Sequence, residues 1–197
     1  MPERALEAPA AVADTHELAL RKAAMGDLPA LLRLINGHAA QGLMLQRSEF
    51  ELAENLRDFT VVCVAGQAVG CCALHFYTPT MGEIRSLAVD PDFRGRGAGR
   101  LLVQALEEEA RASGLRELFA FTYIPAFFAG LGFREIEREA LPLKAWKDCL
   151  RCPKFQCCDE VAVVKPLDGP AGGHSQGGEG PAEPEGGCIL PVIQRSR

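Results

Sequence analysis

The chain has 197 residues, 48% of them hydrophobic, which is the size and composition of one globular domain with a full core. Its formal net charge of −5 leaves no dominant basic face and argues against nucleic acid as a partner. The first residues do not show the basic segment followed by an apolar one that is typical of a secretory signal peptide. No run of apolar residues approaches the roughly 18 that a membrane span needs. We therefore expect a cytoplasmic protein with neither nucleic acid nor a membrane as its partner.

The first half of the chain predicts a strand, two helices and a β-hairpin. Asp27 stands at the N-cap of a helical apolar pattern, and Ser48 and Glu51 have the spacing of a capping box. Two strand-like runs joined by Ala65-Gly66-Gln67 indicate the hairpin. In chain order, we expect a flexible tail over residues 1–16, a strand over 18–23, helices over 27–37 and 48–57, and strands over 59–64 and 68–77.

The second half alternates strands and helices before a tail rich in glycine and proline. The predicted elements are, in order, a strand over 82–89, a helix over 101–112, a strand over 115–122, a short helix over 126–131, strands over 133–139 and 161–164, and a disordered tail over 168–197. The folded domain is therefore expected to span residues 17–167. Periodicity alone gives only a mixed α/β class for it.

One stretch, from Gly82 to Arg100, combines a strand, a glycine-rich turn and a helix start. Strict alternation divides the strand into two faces, one with Glu83, Arg85, Leu87 and Val89 and the other with Ile84, Ser86 and Ala88. The turn that follows contains three glycines and two arginines in residues 94–99. Glycines allow close approach, and the amides and dipole of a helix start attract anions, so the pattern indicates a phosphate-binding turn. A tight connection within an ordinary α/β domain is the alternative.

Known phosphate-binding signatures narrow this interpretation. A dinucleotide fingerprint would need a glycine at Leu102, and the Gly-Lys-Ser/Thr of a P-loop is absent. The run R-x-x-G-x-G preceded by L-A-V-D-P instead resembles the acetyl-coenzyme A loop of the GNAT acetyltransferase superfamily. The resemblance implies a mixed α/β (α+β) acyl-CoA N-acyltransferase fold, in which helices flank a central, mostly antiparallel twisted sheet. It also implies acetyl-CoA as co-substrate, bound by Leu87, Ala88, Val89, Arg94, Gly95, Arg96, Gly97, Ala98, Gly99 and Arg100.

Three further segments resemble the acetyltransferase domain of N-acetylglutamate synthases. They are residues 42–48 (G-L-M-L-Q-R-S), 83–89 (E-I-R-S-L-A-V) and 141–146 (L-P-L-K-A-W). Those enzymes transfer acetyl to the α-amine of L-glutamate and open arginine biosynthesis, and the spaced cysteines near the end resemble their short, single-domain bacterial members. Larger relatives carry an arginine-binding amino-acid-kinase domain. The chain is too short to hold one, so we do not expect feedback control by arginine through such a domain.

The resemblance implies three chemical roles. Glu83 matches the general base of many GNAT enzymes, which takes a proton from the attacking amine; a surface or salt-bridged glutamate beside Arg85 is the alternative. A backbone N–H in residues 87–89 is expected to donate to the thioester carbonyl. Many members protonate the leaving thiolate with a tyrosine, but Phe128 stands at that position here. Tyr123 or water is therefore expected to act instead, unless Tyr123 only packs in the core.

An amino-acid substrate with two carboxylates requires cations, and arginine binds carboxylates best. Arg47 matches a substrate-binding arginine of the synthases, and Arg85 is expected beside the proposed base. Lys144 and Lys147 lie in a segment that closes over the amino acid in the resembling enzymes. A solvated surface charge is the alternative for each of these residues.

A cysteine motif near the end of the domain has part of the spacing of a zinc site. It comprises Cys149, Cys152, Cys157 and Cys158. The last two are adjacent and cannot easily reach one tetrahedral ion, and the motif has no second Cys-x-x-Cys. We therefore predict no metal and interpret the motif as packed thiols or a redox-sensitive loop.

Two other functions remain open from the sequence. The first is a GNAT enzyme that acts on another amine, such as a protein N-terminus, a polyamine or an antibiotic. The second is a non-catalytic acyl-CoA-binding regulatory module, which the phenylalanine at position 128 makes conceivable. The sequence does not determine the oligomeric state, and a homodimer is compatible with it.

Overall fold

The computed structural model of the protein describes residues 17–141, 150, 152, 154 and 157–167. The strands are β1 (Ala19–Lys22), β2 (Phe59–Val64), β3 (Gln67–Phe76), β4 (Met81–Val89), β5 (Glu117–Thr122), β6 (Arg134–Ile136) and β7 (Val161–Pro166). The α-helices are α1 (Leu28–Ala39), α2 (Glu49–Glu54), α3 (Ala98–Ala112) and α4 (Pro125–Ala129). Short 3₁₀ turns occupy Met25–Asp27, Leu56–Asp58, Pro91–Phe93 and Arg138–Ala140.

The seven strands form one sheet in the order β1-β2-β3-β4-β5-β7-β6. Neighbouring strands run antiparallel except β4 and β5, which run parallel. Apolar side chains of α1 and α2 pack on one face, and those of α3 and α4 pack on the other. The predicted mixed α/β class with a mostly antiparallel sheet is therefore confirmed. Within the described ranges, none of the helices has both the length and the apolar character needed to span a bilayer.

Helix α1 differs from the prediction at both ends. Asp27 precedes the helix as expected, but its side chain forms no capping bond. It accepts two hydrogen bonds from the Arg21 guanidinium, at 2.6 and 2.8 Å, and one from the Ala24 N–H at 2.8 Å. At the other end the helix continues through Gly37, and the left-handed conformation is found at Gly42, with φ of +71°.

The predicted capping box of α2 is confirmed. Ser48 Oγ accepts from the Glu51 N–H at 3.2 Å, and the Glu51 carboxylate accepts from the Ser48 N–H at 2.9 Å. The helix ends at Glu54, earlier than the predicted end at Arg57. There the Asn55 side chain donates to the Glu51 carbonyl at 2.8 Å, a local bond that competes with helix continuation, and a 3₁₀ turn follows.

A bulge in β4 overturns the predicted alternation of its side chains. Across the β3–β4 ladder, Cys71 pairs with Ala88 and Ala73 with Arg85, so residues 85–88 oppose only three residues. Ser86 takes a left-handed φ of +55° to accommodate the extra residue. Glu83 and Arg85 still share a face, but beyond the bulge Leu87 and Val89 pack toward α3, and Ala88 packs toward α1.

The pairing between β4 and β5 is short. It covers only Met81, Gly82 and Glu83 on β4, opposite Glu117, Leu118 and Phe119 on β5. Beyond Glu83 the two parallel strands are no longer paired, and the edge of β4 that faces β5 is open. The bulge and this separation together create the space in which the site lies.

Replacement of Asp27 tests the ion pair that anchors β1 to α1. Hydrogen bonding from Arg21 lowers the pKa of the Asp27 carboxyl below its ordinary value. A lowered folded-state pKa stabilises the protein above the unfolded pKa of about 3.9, and this stabilisation is lost as the pH falls through the folded pKa. Asp27→Asn is expected to lower the free energy of unfolding by about 1 kcal/mol at pH 7, and by less at pH 3.

Urea denaturation at the two pH values measures this difference. Glu54→Gln, at an exposed helix position, is the control and should leave the free energy of unfolding unchanged at both. An equal loss for Asp27→Asn at pH 7 and pH 3 would show that the carboxylate charge contributes nothing.

Candidate active site

A cleft of about 670 Å³ opens where β4 and β5 separate. The connection between α1 and α2, the turn before α3 and the segment that follows β6 complete its walls. The predicted site residues that line it are Arg47, Glu83, Arg85, Leu87, Val89, Arg94, Gly95, Gly97, Ala98, Gly99, Arg100 and Tyr123. Ala88 and Arg96 do not line the cleft, and Lys144 and Lys147 lie outside the described residues.

The turn before α3 presents unpaired amides to this cleft. Gly95 and Gly97 adopt left-handed φ values of +74° and +85°, and Gly97 is the N-cap of the 15-residue helix. Within the described part of the chain, no hydrogen bond uses the N–H groups of residues 95–100 as donors. Several N–H groups beside the positive end of a helix dipole form a site for a phosphate or diphosphate. The residues present therefore fit the diphosphate of coenzyme A.

Helix α1 holds this turn in place through two polar contacts. Arg33 donates to Asp90 Oδ2 at 2.7 Å, and this hydrogen bond lowers the pKa of the Asp90 carboxyl. The Arg94 guanidinium lies 2.9 Å from His38 Nε2, while His38 Nδ1 lies 2.9 Å from the Leu34 carbonyl. A carbonyl only accepts, so Nδ1 carries the hydrogen and Nε2 accepts from Arg94. This tautomer directs Arg94 along the wall of the cleft.

The other two arginines of the turn have different surroundings. Arg100 lines the cleft and donates to the Gly130 carbonyl at 3.4 Å, next to the end of α4. Arg96 instead stacks over the Phe93 ring, with its guanidinium carbon 5.0 Å from the ring centroid. The structure thus brings Arg100 to the cleft and leaves Arg96 outside its lining.

The open edge of β4 supplies a main-chain donor. The backbone N–H of Asp90 donates to the Val69 carbonyl of β3 at 2.8 Å. Successive N–H groups of a strand point to opposite edges, so the N–H of Val89 points away from β3 and toward the cleft. Ala88 pairs with Cys71 across the same ladder, and its side chain is buried under α1. The side chain of Ala88 therefore faces away from the cleft, and the main-chain contact of Ala88 with the cofactor stays a prediction.

Glu83 lies at the base of the cleft, at the last position where β4 pairs with β5, and is only 8% exposed. Arg85 Nη1 lies 4.0 Å from its Oε2, and Arg85 Nη2 lies 3.9 Å from Asp58 Oδ2. Asp58 in turn contacts His75 Nδ1 at 2.9 Å. A guanidinium between two carboxylates therefore borders the floor of the site. The contact with Arg85 that was given as the alternative to a base role for Glu83 is therefore present, and both side chains line the cleft.

Arg47 lies on the opposite wall, in the connection between α1 and α2. Its N–H donates to Asn36 Oδ1 and its carbonyl accepts from Asn36 Nδ2, both at 2.9 Å. A side-chain amide that meets both main-chain groups of one residue fixes the local backbone. Helix α1 therefore positions the half-buried Arg47 against the cleft.

Tyr123 follows β5 and lines the cleft, and Phe128 also borders the cleft but packs mainly in the core. Burial raises the pKa of the Tyr123 phenol above its ordinary value, and its oxygen accepts from Lys154 Nζ at 3.1 Å. Phe128 is 3% exposed and packs edge-to-face against Phe127 and Phe133, with centroid distances of 5.3 and 5.2 Å. Of these residues, Tyr123 alone carries a hydroxyl to the cleft.

The cleft residues that were not predicted include Arg138, Cys158 and Glu160. The Arg138 guanidinium contacts Cys158 Sγ at 2.8 Å and donates to the Glu160 carbonyl at 2.5 Å. Burial raises the pKa of the Glu160 carboxyl, which lines the same wall. Arg138 and Glu160 flank a stretch without helical or strand periodicity, so no pattern in the sequence indicates that they meet. The spacing of the cysteines in this segment has part of the pattern of a zinc site, and it does not indicate that the segment forms a wall of the cleft.

The cysteine motif is described only in part, since Cys149 lies outside the described residues. Cys152, Cys157 and Cys158 are free thiols, and the first and last of them line the cleft. Among the described residues no three His, Cys, Asp or Glu side chains are placed to hold a metal ion. The metal-free interpretation of the motif stays a prediction, because its first cysteine is not among them.

Comparison with known proteins agrees with this geometry. Residues 30–133 match the family model described as the acetyltransferase (GNAT) family. An uncharacterized N-acetyltransferase of Chlorobaculum tepidum is 46% identical over 148 residues, which cover 75% of this chain and 96% of that protein. An amino-acid acetyltransferase of Mycobacterium tuberculosis is 34% identical over 152 residues, which cover 75% of this chain and 87% of that protein.

A solved structure has the same fold and is complexed with coenzyme A. N-acetylglutamate synthase from Neisseria gonorrhoeae, complexed with coenzyme A and N-acetyl-glutamate, superposes with a TM-score of 0.71 at 29% identity. The match covers 77% of this chain and 35% of that one. The family match agrees with the separation of β4 from β5 and with the N–H groups left without acceptors in the turn before α3. The chain therefore belongs to the acetyltransferase (GNAT) family and uses acetyl-CoA as its co-substrate.

Proposed function

We propose that this N-acetyltransferase transfers acetyl to the α-amine of L-glutamate in the cytoplasm, the first step of arginine biosynthesis. The activity is assigned to residues 17–167. The relative from Mycobacterium tuberculosis that is named amino-acid acetyltransferase supports an amino acid as acceptor. The structural neighbour complexed with N-acetyl-glutamate supports glutamate in particular.

One observation carries the proposal: a single cleft holds a diphosphate turn, a buried carboxylate and two arginines on facing walls. The turn at residues 94–100 lies at one end, and Glu83 lies on the floor beside Arg85. Arg47 faces them from the connection between α1 and α2. A glutamate substrate carries one amine and two carboxylates, so it needs a base and at least two cationic contacts. These residues supply both.

Binding of acetyl-CoA is assigned to the main chain of the turn and of β4. The N–H groups of residues 95–100 would receive the diphosphate oxygens, with Arg94 and Arg100 beside them. The open edge of β4 would pair with the pantetheine arm in the manner of a strand. Acetyl-CoA supplies the activated acetyl group as a thioester, whose carbonyl would then lie near the Val89 N–H.

The transfer requires three proton or hydrogen-bond steps, and each is assigned to one group. Glu83 takes a proton from the substrate ammonium, directly or through a water, and frees the amine for attack. The Val89 N–H donates to the carbonyl oxygen as that oxygen gains charge. Tyr123 donates its phenol proton to the departing sulfur, since Phe128 has none to give.

A thiol-release assay with acetyl-CoA and a panel of amines tests the proposed acceptor. The panel holds L-glutamate, L-aspartate, L-glutamine, a polyamine, a peptide with a free N-terminus and an aminoglycoside. L-glutamate is expected to give the highest kcat/KM. Arg47→Met should raise its KM by 10- to 100-fold, because loss of a charge-assisted hydrogen bond costs roughly 1.5–3 kcal/mol. The KM for acetyl-CoA should not change.

Arg57→Met, at an exposed position outside the cleft, is the matched control and should leave both KM values unchanged. A polyamine or peptide as best acceptor would favour the other-amine alternative. Coenzyme A binding without thiol release for any amine would instead favour the regulatory module and reject the synthase.

Replacement of Gly97 tests the diphosphate turn. An added Cβ meets nothing within 4 Å, so Gly97→Ala acts only through the left-handed φ of +85°, which costs about 1–2 kcal/mol. Relief of this strain would move the amides, so the KM for acetyl-CoA should rise about tenfold. Gly66→Ala is the control, because Gly66 has φ of +79°, equally open surroundings and a place in the β2–β3 turn. Equal KM values in the two variants would remove the turn from the binding site.

Glu83→Gln tests the assignment of the base. The amide keeps the shape of the side chain but cannot accept the proton, so kcat should fall about 10²- to 10³-fold, with partial recovery at alkaline pH as free amine accumulates. Glu135→Gln, on the exposed edge strand β6, is the control and should retain wild-type kcat. Steady-state kinetics from pH 6 to 10 measures both, and a wild-type kcat for Glu83→Gln would exclude Glu83 as the base.

A further inference from the structure

We propose that Lys154 is a positioning residue for the acid step: its ammonium orients the Tyr123 phenol and stabilises the phenolate that remains after the departing thiolate is protonated. This inference rests on the proposed function, in which Tyr123 donates that proton. It assigns a role to a residue of the cysteine segment that no pattern in the sequence indicated.

The contact is direct and lies at the rim of the cleft. Lys154 Nζ lies 3.1 Å from the Tyr123 oxygen and 3.3 Å from Asp159 Oδ1. A neighbouring cavity, lined by Lys154, Tyr123 and Glu160 among others, joins the main cleft along the last two of these residues. Lys154 is not among the residues that line the main cleft, so its ammonium does not occupy the space assigned to acetyl-CoA.

The chemistry of the two groups decides which one donates. An ammonium has three hydrogens and no lone pair, so Lys154 can only donate to the phenol oxygen. The hydrogen of the phenol is consequently directed away from Lys154 and is donated to the Asp159 carboxylate, an acceptor that the departing thiolate would have to replace. A tyrosine held in this way keeps its proton in a defined direction, which proton transfer to sulfur requires.

The charges around the phenol favour the same division of roles. Burial raises the pKa of Tyr123, so the group keeps its proton at neutral pH, while the hydrogen bond from Lys154 acts in the opposite direction. The hydrogen bond from the phenol to Asp159, and the negative charges of Glu160 and Asp159, also raise this pKa. Among these neighbours Lys154 alone stabilises the phenolate, so its removal makes Tyr123 a weaker acid.

The proton balance of the cycle is complete. The O–H bond of Tyr123 breaks as the S–H bond of coenzyme A forms, which leaves a phenolate. The phenolate then takes a proton from Lys154, and the neutral amine regains one from water, since 42% of the Lys154 side chain is exposed. On the other side, the C–N bond forms as the C–S bond breaks, and the nitrogen loses two protons to water through Glu83, one before attack and one from the adduct. Two protons therefore leave and one returns through Lys154, so the reaction yields one amide, one thiol and one released proton.

A double-mutant cycle tests the inference in the full chain, with the best acceptor found in the thiol-release assay. Tyr123→Phe should lower kcat about 100-fold. Lys154→Met should lower kcat about tenfold with unchanged KM for acetyl-CoA, and Lys154→Arg, which keeps a donor and a charge, should restore it to within about threefold. In the Tyr123→Phe background, Lys154→Met should have no further effect, because its role passes through the phenol.

Three results would overturn the inference: wild-type kcat in Lys154→Met, no recovery in Lys154→Arg, or the same loss from Lys154→Met with and without the phenol. Lys22→Met is the matched control, since Lys22 is an exposed lysine paired with Glu109 outside the cleft, and it should retain wild-type kcat. Failure of the proposed function is distinct, because wild-type protein would then release no thiol with glutamate. Another acceptor would still allow the cycle to be measured.

Discussion

The whole site depends on an interruption of sheet hydrogen bonding. A strand paired along both edges has no main-chain groups left for a ligand, and a strand separated from its neighbours leaves polar groups unsatisfied. β4 resolves this conflict by pairing with β3 along most of its length and with β5 only as far as Glu83. In the same region, the bulge at Ser86 reverses which side chains of β4 point to each face of the sheet. The open edge can therefore serve a ligand while β3 keeps the strand in place.

Charge is distributed unevenly between the molecule and its cleft. The chain carries a formal net charge of −5, yet the described lining of the cleft includes Arg47, Arg85, Arg94, Arg100 and Arg138. Field lines converge in a concave site with low-dielectric walls, so local charge and not the net charge governs the attraction of an anionic ligand. An acidic protein can in this way attract an anionic ligand such as the diphosphate of acetyl-CoA. The acidic residues in this described lining are Glu83, which is buried, and Glu160, which is half-buried.

Local patterns predicted much of this fold, while contacts between distant segments were not predictable. The capping box at Ser48, the strand at 59–64 and the glycine turn depend on neighbouring residues, and all three are visible in the sequence. The prediction that Leu87 lies on the same face of β4 as Glu83 was wrong, because the bulge reverses the side-chain faces and the alternation of polar and apolar residues does not reveal a bulge. The contact of Arg138 with Glu160 depends on tertiary packing of an irregular segment. Such juxtapositions have no periodic signature.

A single turn of α1 supports both ends of the cleft. Asn36 fixes the main chain of Arg47 on one wall of the cleft, and two residues later His38 orients Arg94 beside the turn before α3. Both ends of the cleft therefore rest on one turn of helix, and any shift of this turn displaces Arg47 and Arg94 together.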